Sequence, residues 1–290
     1  MTALTGLPAP APAPLVRITR RLRSADLVLV VATAVCVLLV CVAAAAPLLA
    51  PYDPAQTDVL AAGQGASAQH WLGTDALGRD ILSRLLYGAR LSLLGPALVV
   101  AFSTATGTAL AIASVWFGGW FDRVVTRLSD VLFAFPGLLF AVLAVALFGS
   151  GLTAPVTALA IAYTPYLTRI VRSVAQRERS LPYIEACELA GLSAWRICTR
   201  HILPNLLPVI RAQAVISFGT ALVELGAISY IGLGVQPPTT DWGLMIADGQ
   251  TALLNGQPQA ALAAGLAIVV TVVAFNLLGE RLADRAEVNA

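Results

Sequence analysis

An all-α integral membrane protein with six transmembrane helices is the fold class this sequence predicts, and three observations predict it. Of the 290 residues 58% are hydrophobic and 12% charged, with a mean hydropathy of +0.81; a soluble domain cannot hide that much apolar surface. Charge-free runs long enough to cross a bilayer recur along the chain. The 18 cations are all Arg, and they gather in some inter-span segments and avoid others, as membrane topology requires.

Residues 1–25 open with the Pro-Ala repeat LPAPAPAPL and continue with Arg17, Arg20, Arg21 and Arg23. Proline spaced this closely blocks a helix, so a disordered tail is expected. Leu27–Ala46 then carries no charge and is long enough to span. A cleaved signal peptide is the rival reading, disfavoured because the apolar stretch is too long for one. Within residues 26–90 this span is followed by a polar extracytoplasmic loop and by GTDALGRDILSRLLYGARLSLL. Here Ile81, Leu82, Leu85, Leu86 and Ala89 form one helical stripe, with Arg79, Asp80, Ser83, Arg84 and Arg90 mostly off it. The pattern predicts an amphipathic helix along the outer membrane surface, with Asp80 and Arg84 paired at i,i+4.

Residues 91–280 hold the remaining spans. Leu91–Phe121 is the second. Val131–Thr168 is uncharged throughout; as one helix it would be about 57 Å long against about 30 Å of hydrocarbon, so it must be two spans, turned at FGSGLTAP. The fifth runs from about Leu206 to Ser229 and the sixth from about Ala260 to Leu278, leaving 281–290 as a C-terminal tail. Six spans put both termini on one side of the membrane. That side collects the tail arginines, Arg123 and Arg127, the six between spans four and five (Arg169, Arg172, Arg177, Arg179, Arg196, Arg200), and Arg281 and Arg285. The other side has Arg79, Arg84 and Arg90, while Arg211 lies near a span end. The positive-inside rule makes the richer side cytoplasmic.

Between spans four and five lies EACELAGLSAWRICTRHILPN, bracketed by Pro182 and Pro204. The prolines delimit a charged helix of roughly 15–20 residues. Glu185 and Glu188 sit where the helix dipole favours anions, and Arg196 and Arg200 where it favours cations. Gly191 in its middle costs about 1 kcal/mol relative to Ala and suggests a bend or the close approach of another surface. The bland reading is a solvated loop that happens to be helical. The spacing is more specific than that. Glu185-Ala186-Cys187, three residues, Gly191, nine residues, then His201-Ile202-Leu203-Pro204 resembles the EAA motif of ABC-importer permeases. LGTDALGRDILSRLLYGARLSL, YIGLGVQPPTTDWGLMI and FNLLGERLADRAE are similar, in the same order, to segments of the C-type permease subunits that serve dipeptide, oligopeptide and nickel import. The resemblance covers about residues 25–285. Cys187 replaces the motif's second alanine and His201 its isoleucine.

The resemblance implies a type I ABC importer transmembrane domain whose cytoplasmic coupling helix docks on an ATPase. Glu185, Ala186, Cys187 and Gly191 would shape the docking surface, and His201, Leu203 and Pro204 would set the exit into span five. It implies a second homologous permease subunit, two ATPase subunits that bind ATP and Mg, an extracytoplasmic binding protein, and a place in the cell membrane with cytoplasmic termini. GVQPPTTDW would help form the face that receives the binding protein.

The residues themselves exclude several chemistries. A P-loop needs a lysine, which is absent, so the chain is not expected to hydrolyse ATP or to be an enzyme. His70 and His201 are the only histidines, and neither H-E-x-x-H nor G-x-S-x-G occurs; no catalytic residue, metal site or nucleic-acid motif is expected. Cys36, Cys41, Cys187 and Cys198 have no metal-ligand spacing and read as small hydrophobes. Glu224 is an acid within span five and a functional candidate on that ground. Two readings stand: pairing with Arg84 or Arg90 as an outer gate or structural lock, or a carboxylate snorkelling to water. The expected function is half of the path of an ATP-driven importer for di- or oligopeptides, membrane lipid being its other partner. The competing functions are a self-contained secondary transporter or channel, which would show inverted repeats or charged broken helices, and a permease for nickel or another small solute. Two histidines and two methionines argue against nickel.

Overall fold

The computed structural model describes residues 15–288, with side chains described for 27–285. Helix α1 runs Leu15–Ala44 and is followed by the single turn α2, Ala46–Leu49. The arginine cluster expected in a disordered tail therefore lies on the first turns of α1; residues 1–14 of that tail lie outside the described residues. A loop with one 3-10 turn at Val59–Ala61 leads to α3, Ile81–Phe117, whose 37 residues reach about 55 Å. The separate surface helix expected before span two is the start of this one helix. Asp80 caps it, its carboxylate accepting from the Ser83 N–H at 2.8 Å. It does not pair with Arg84.

The chain then forms α4, Gly119–Phe133, and α5, Gly137–Phe148, which meet at 83°. Pro136 ends the first helical path and stands immediately before the second, so the break falls where proline forbids continuation. A turn at 149–152 returns the chain into α6, Thr153–Arg179, close to the turn read from FGSGLTAP. Next come α7, Pro182–Leu189, and α8, Ala194–Ile197. A π-helical turn, Cys198–Ile202, joins α8 to α9, Leu203–Tyr230. Helix α10, Trp242–Leu254, and α11, Gln259–Val288, close the fold.

Among the described residues, four helical runs are long and apolar enough to cross a membrane: Leu27–Ala44, Ile81–Phe117, Ala194–Tyr230 and Gln259–Arg285. The bent pair α4–α5 adds a fifth if it is one span. The remaining span expected from the sequence, the fourth, corresponds to α6, whose Thr, Pro and Tyr residues together with its arginine-rich C-terminal half take it below the same standard.

Helices α3, α6 and α9 form the centre, with α11 on α9 and with α10 and α1 on α11. Ala89, Leu93, Val99, Leu159, Leu222, Leu225, Ile228 and Met245 make the main core, and Phe218 stacks on Phe275 at 4.0 Å between centroids. A second core joins Ala111, Val171 and Ala175 to Ile184, Ile197, Ile202, Leu206 and Ile210. Gly243 lets α10 seat against α9, because a Cβ there would run into the Gly226 carbonyl oxygen. The sequence reading missed α10. Its signal was Asp241 ahead of an apolar run: the carboxylate accepts from the Leu244 N–H at 2.7 Å as an N-cap.

Candidate functional sites at the two ends of the bundle

The motif segment lies beside the C-terminal ends of α3 and α6. It is not one helix. Gly191 adopts φ +76 and nothing stands within 4 Å of where its Cβ would be, so it serves the bend rather than a close approach within this chain. The left-handed conformation costs an L-residue about 1–2 kcal/mol. Pro204 does not end a helix; it sits in the first turn of α9, and the helical run continues through it from Ala194. The π-turn explains the continuity. The Leu203 N–H donates to the Cys198 carbonyl, one residue further back than in an α-helix, just ahead of the residue that has no N–H to give.

One face of this segment is fixed to the bundle. Ile184, Ile197 and Ile202 are buried in the second core, and Cys187 and Leu203 pack against it. Tyr183 donates to Glu178, and Asn205 donates to Glu178 at 2.6 Å and to the Tyr183 oxygen at 3.1 Å, tying α7 to the end of α6 and the start of α9. Burial of the Tyr183 hydroxyl, helped by the Glu178 charge, pushes its pKa up to about 12, so it remains a donor at neutral pH. Arg179 stacks over Trp116 at 4.3 Å, donates to the Trp116 carbonyl at 3.0 Å and approaches Glu188 at 3.7 Å. His201 lies 6.4 Å from the Tyr183 ring.

The other face is open. Glu185, Ala186, Gly191 and Pro204 are exposed, and so are Leu189 and Trp195, at 91% and 79%. Two large apolar side chains flank the bend beside Glu185, Glu188, Arg196 and Arg200. The sequence reading found the motif but not its anchors. Tyr183, Glu178 and Asn205 carry no pattern of their own, and Arg179 was legible only as a topology charge.

The opposite end of α3 carries a buried polar network. Arg84 is 1% exposed and donates to Asp75 at 2.6 Å and to Asp248 at 2.7 Å. Arg79 donates to the same two carboxylates at 2.7 and 2.9 Å. Two cations and two anions balance, as buried charges must. Asp80 also meets His70 at 2.9 Å, and Trp242 donates through its backbone N–H to Ser92 at 2.9 Å and through its ring to the Leu85 carbonyl at 3.0 Å. Loop, α3 and α10 are thus joined. Asp241 receives the Ser229 hydroxyl at 2.6 Å, yet burial holds its carboxyl above the usual range.

The expected pairing of Glu224 with Arg84 or Arg90 is not formed. Asp75 and Asp248 take the Arg84 guanidinium, the second of them from α10. Arg90 is exposed. Glu224 instead faces a separate cavity between α4, α5, α6 and α9.

The bundle thus carries a motif segment at one end of α3 and a buried polar network at the other, and the comparisons with known proteins give its class, a transport permease. Residues 103–288 match the family of binding-protein-dependent transport system inner membrane components, and the chain belongs to that family. It is 41% identical over 221 residues to the glutathione transport system permease protein GsiD of Pectobacterium atrosepticum, covering 76% of this chain and 73% of that one. It is 39% identical over 242 residues to the dipeptide transport system permease protein DppC of Alkalihalophilus pseudofirmus, covering 83% and 79%. Among solved structures, the MetNI methionine ABC transporter in inward-facing conformations shares the fold, with a TM-score of 0.57 at 17% identity over 71% of this chain and 97% of that one. The chain is accordingly a multi-pass permease subunit of an ABC importer in the inner membrane, the membrane-spanning and non-catalytic component that works with a binding protein and an ATPase.

Proposed function

We propose that this subunit forms half of the translocation path for small peptides, with a second homologous permease forming the other half. The observation that carries the mechanism is the two-faced motif segment: an open surface of Glu185, Ala186, Leu189, Gly191 and Trp195 backed by a buried isoleucine face. Exposed apolar side chains among charges are what a docking surface presents. In this reading α7 and α8 form a cytoplasmic coupling element, one of two seated on two ATPase subunits, which bind the ATP and Mg. Closure of the ATPase pair pushes on α7–α8; the isoleucine face and the Arg179–Trp116 contact pass the motion to α6, α9 and α3. Six spans (α1, α3, α4–α5, α6, α9, α11) put both termini in the cytoplasm, in keeping with the arginine distribution. The loop 234–242 and α10 then face outward, toward the binding protein. Relatives named for glutathione and for dipeptides support a substrate of two or three residues.

Two measurements test this. In proteoliposomes, Glu185→Lys should lower ATPase stimulation by loaded binding protein and lower uptake in parallel, by about tenfold or more if a charged docking contact of about 1.5–3 kcal/mol is lost. Wild-type stimulation in that variant removes the docking role. Uptake of labelled dipeptide, longer peptide and Ni²⁺ by cells with and without this subunit fixes the substrate: loss of peptide uptake alone is the expected result.

A further inference from the structure

The cavity beside Glu224 has a volume of about 370 Å³, within the range of small-molecule sites. It opens where α4 breaks from α5, and its lining includes Phe135, Gly137, Tyr163, Ser217, Thr220 and Glu224. Three oxygens there are buried without a hydrogen bond of ordinary geometry: Glu224 Oε2, the Tyr163 hydroxyl and Ser217 Oγ; the Tyr163 hydroxyl lies close enough to Glu224 for the two to interact, but not in bonding geometry. Ser217 is itself only 3% exposed. Buried polar groups are ordinarily satisfied, and three oxygens without a well-formed bond in one cavity suit a ligand that supplies donors. Among the described residues, Glu224 is the only charged one lining it. An intramembrane carboxylate is costly without a counter-charge, and no Arg or His lines the cavity to provide one.

We infer that this cavity is a subsite of the translocation path that receives the protonated amino group of the passing substrate, with Glu224 as counter-ion and the Tyr163 hydroxyl beside it as a second acceptor. An ammonium brings three donors and no acceptor, matching a site made of unsatisfied oxygens. Ser217 and Glu224 stand seven residues apart on α9, two turns and about 10 Å. An extended peptide advances about 3.3–3.6 Å per residue, so two or three residues fit between Glu224 and Ser217, with Thr220 midway. The inference rests on the peptide reading above and adds which end of the peptide is held and by what.

The test uses the complete importer in proteoliposomes. A tripeptide with a free amino terminus and its N-acetylated form are each supplied at concentrations that saturate the binding protein. Glu224→Gln should cut uptake of the free-amino peptide by about tenfold or more, the loss of one charge-assisted contact, while uptake of the acetylated peptide falls far less; Glu224→Asp should recover most of the loss. A loss equal for both peptides, or no loss, overturns the inference while leaving the peptide function intact. No peptide uptake by the wild-type importer overturns the peptide function and this inference with it. Independently of loading, a tripeptide carrying a benzophenone side chain in its first residue should photolabel α6 or α9 near Tyr163 and Thr220, and should lose that labelling in Glu224→Gln; labelling elsewhere only, or labelling indifferent to the substitution, also overturns it.

Discussion

Arg84 shows how far a single residue can depart from its sequence reading. It looked like an exposed charge on an amphipathic helix and is instead among the most buried side chains, held by carboxylates 9 residues before it and 164 after it. Removing one member of such a network leaves the others uncompensated, so Arg84→Ala should cost about 3–5 kcal/mol. Arg90→Ala, at an exposed position, should stay within about 0.5 kcal/mol. Thermal unfolding of the detergent-purified complex checks both, and equal midpoints for the two variants would refute the contrast. Asp241 gives a pH signature. Its carboxyl is raised above the ordinary 3.8 by burial, against the opposing pull of the Leu244 N–H and the Ser229 hydroxyl. The folded state therefore binds this proton more tightly than the unfolded chain, and stability from this group is lost as pH rises through the unfolded value toward the raised one. Asp241→Asn keeps an N-cap acceptor and should flatten the stability profile across that window, which a series of melting curves would reveal. The Asp241 N-cap had a sequence signal, but the long-range partners did not, because they come from α9, from α10 and from a loop without regular structure.

At the scale of elements, the motif segment is helical as its spacing predicts but is two helices and a π-turn rather than one helix. The sequence leaves Gly191 as a bend or a close approach and makes Pro204 a boundary of the helix. In the fold Gly191 makes the turn between α7 and α8, and Pro204 is absorbed by a π-turn. The distinction has consequences for substitution. Gly191→Ala places a Cβ in open space but in a left-handed conformation, and should lower binding-protein-stimulated ATPase. Gly191→Asn, a residue that tolerates that conformation, should retain more of it. Equal activity in the two variants would mean the backbone angle is unimportant. The spans α3, α9 and α11 were legible because long uncharged runs have few other fates, and the turn at 149–152 because a single helix of that length cannot fit. The α4–α5 break was not: it lies inside a continuous apolar stretch, where composition is silent about direction.

At the scale of the molecule, the arginine distribution predicts which end faces the cytoplasm, and the fold places the two candidate surfaces at opposite ends of α3. Thr239 is exposed beside the polar network, and Cys187 is half-buried in the motif segment. A membrane-impermeant thiol reagent should label Thr239→Cys in intact spheroplasts and should reach Cys187 only after permeabilisation. The reverse pattern would invert the topology. The overall class and the motif could be read from the chain because hydropathy and spacing are one-dimensional properties. The Glu224 cavity could not, since it is made by four helices meeting at a bend.

Helix α3 runs as one element from Arg84 in the buried network to Trp116 under Arg179, with Pro96 in its interior. Mechanically it is a lever. Pivoting a rod of about 55 Å by about 5° at its centre displaces each tip by roughly 2 Å in opposite senses, enough to exchange one set of side-chain contacts for another. A push delivered near Trp116 would arrive at Arg84 as a sideways stroke, less whatever bending Pro96 takes up between them.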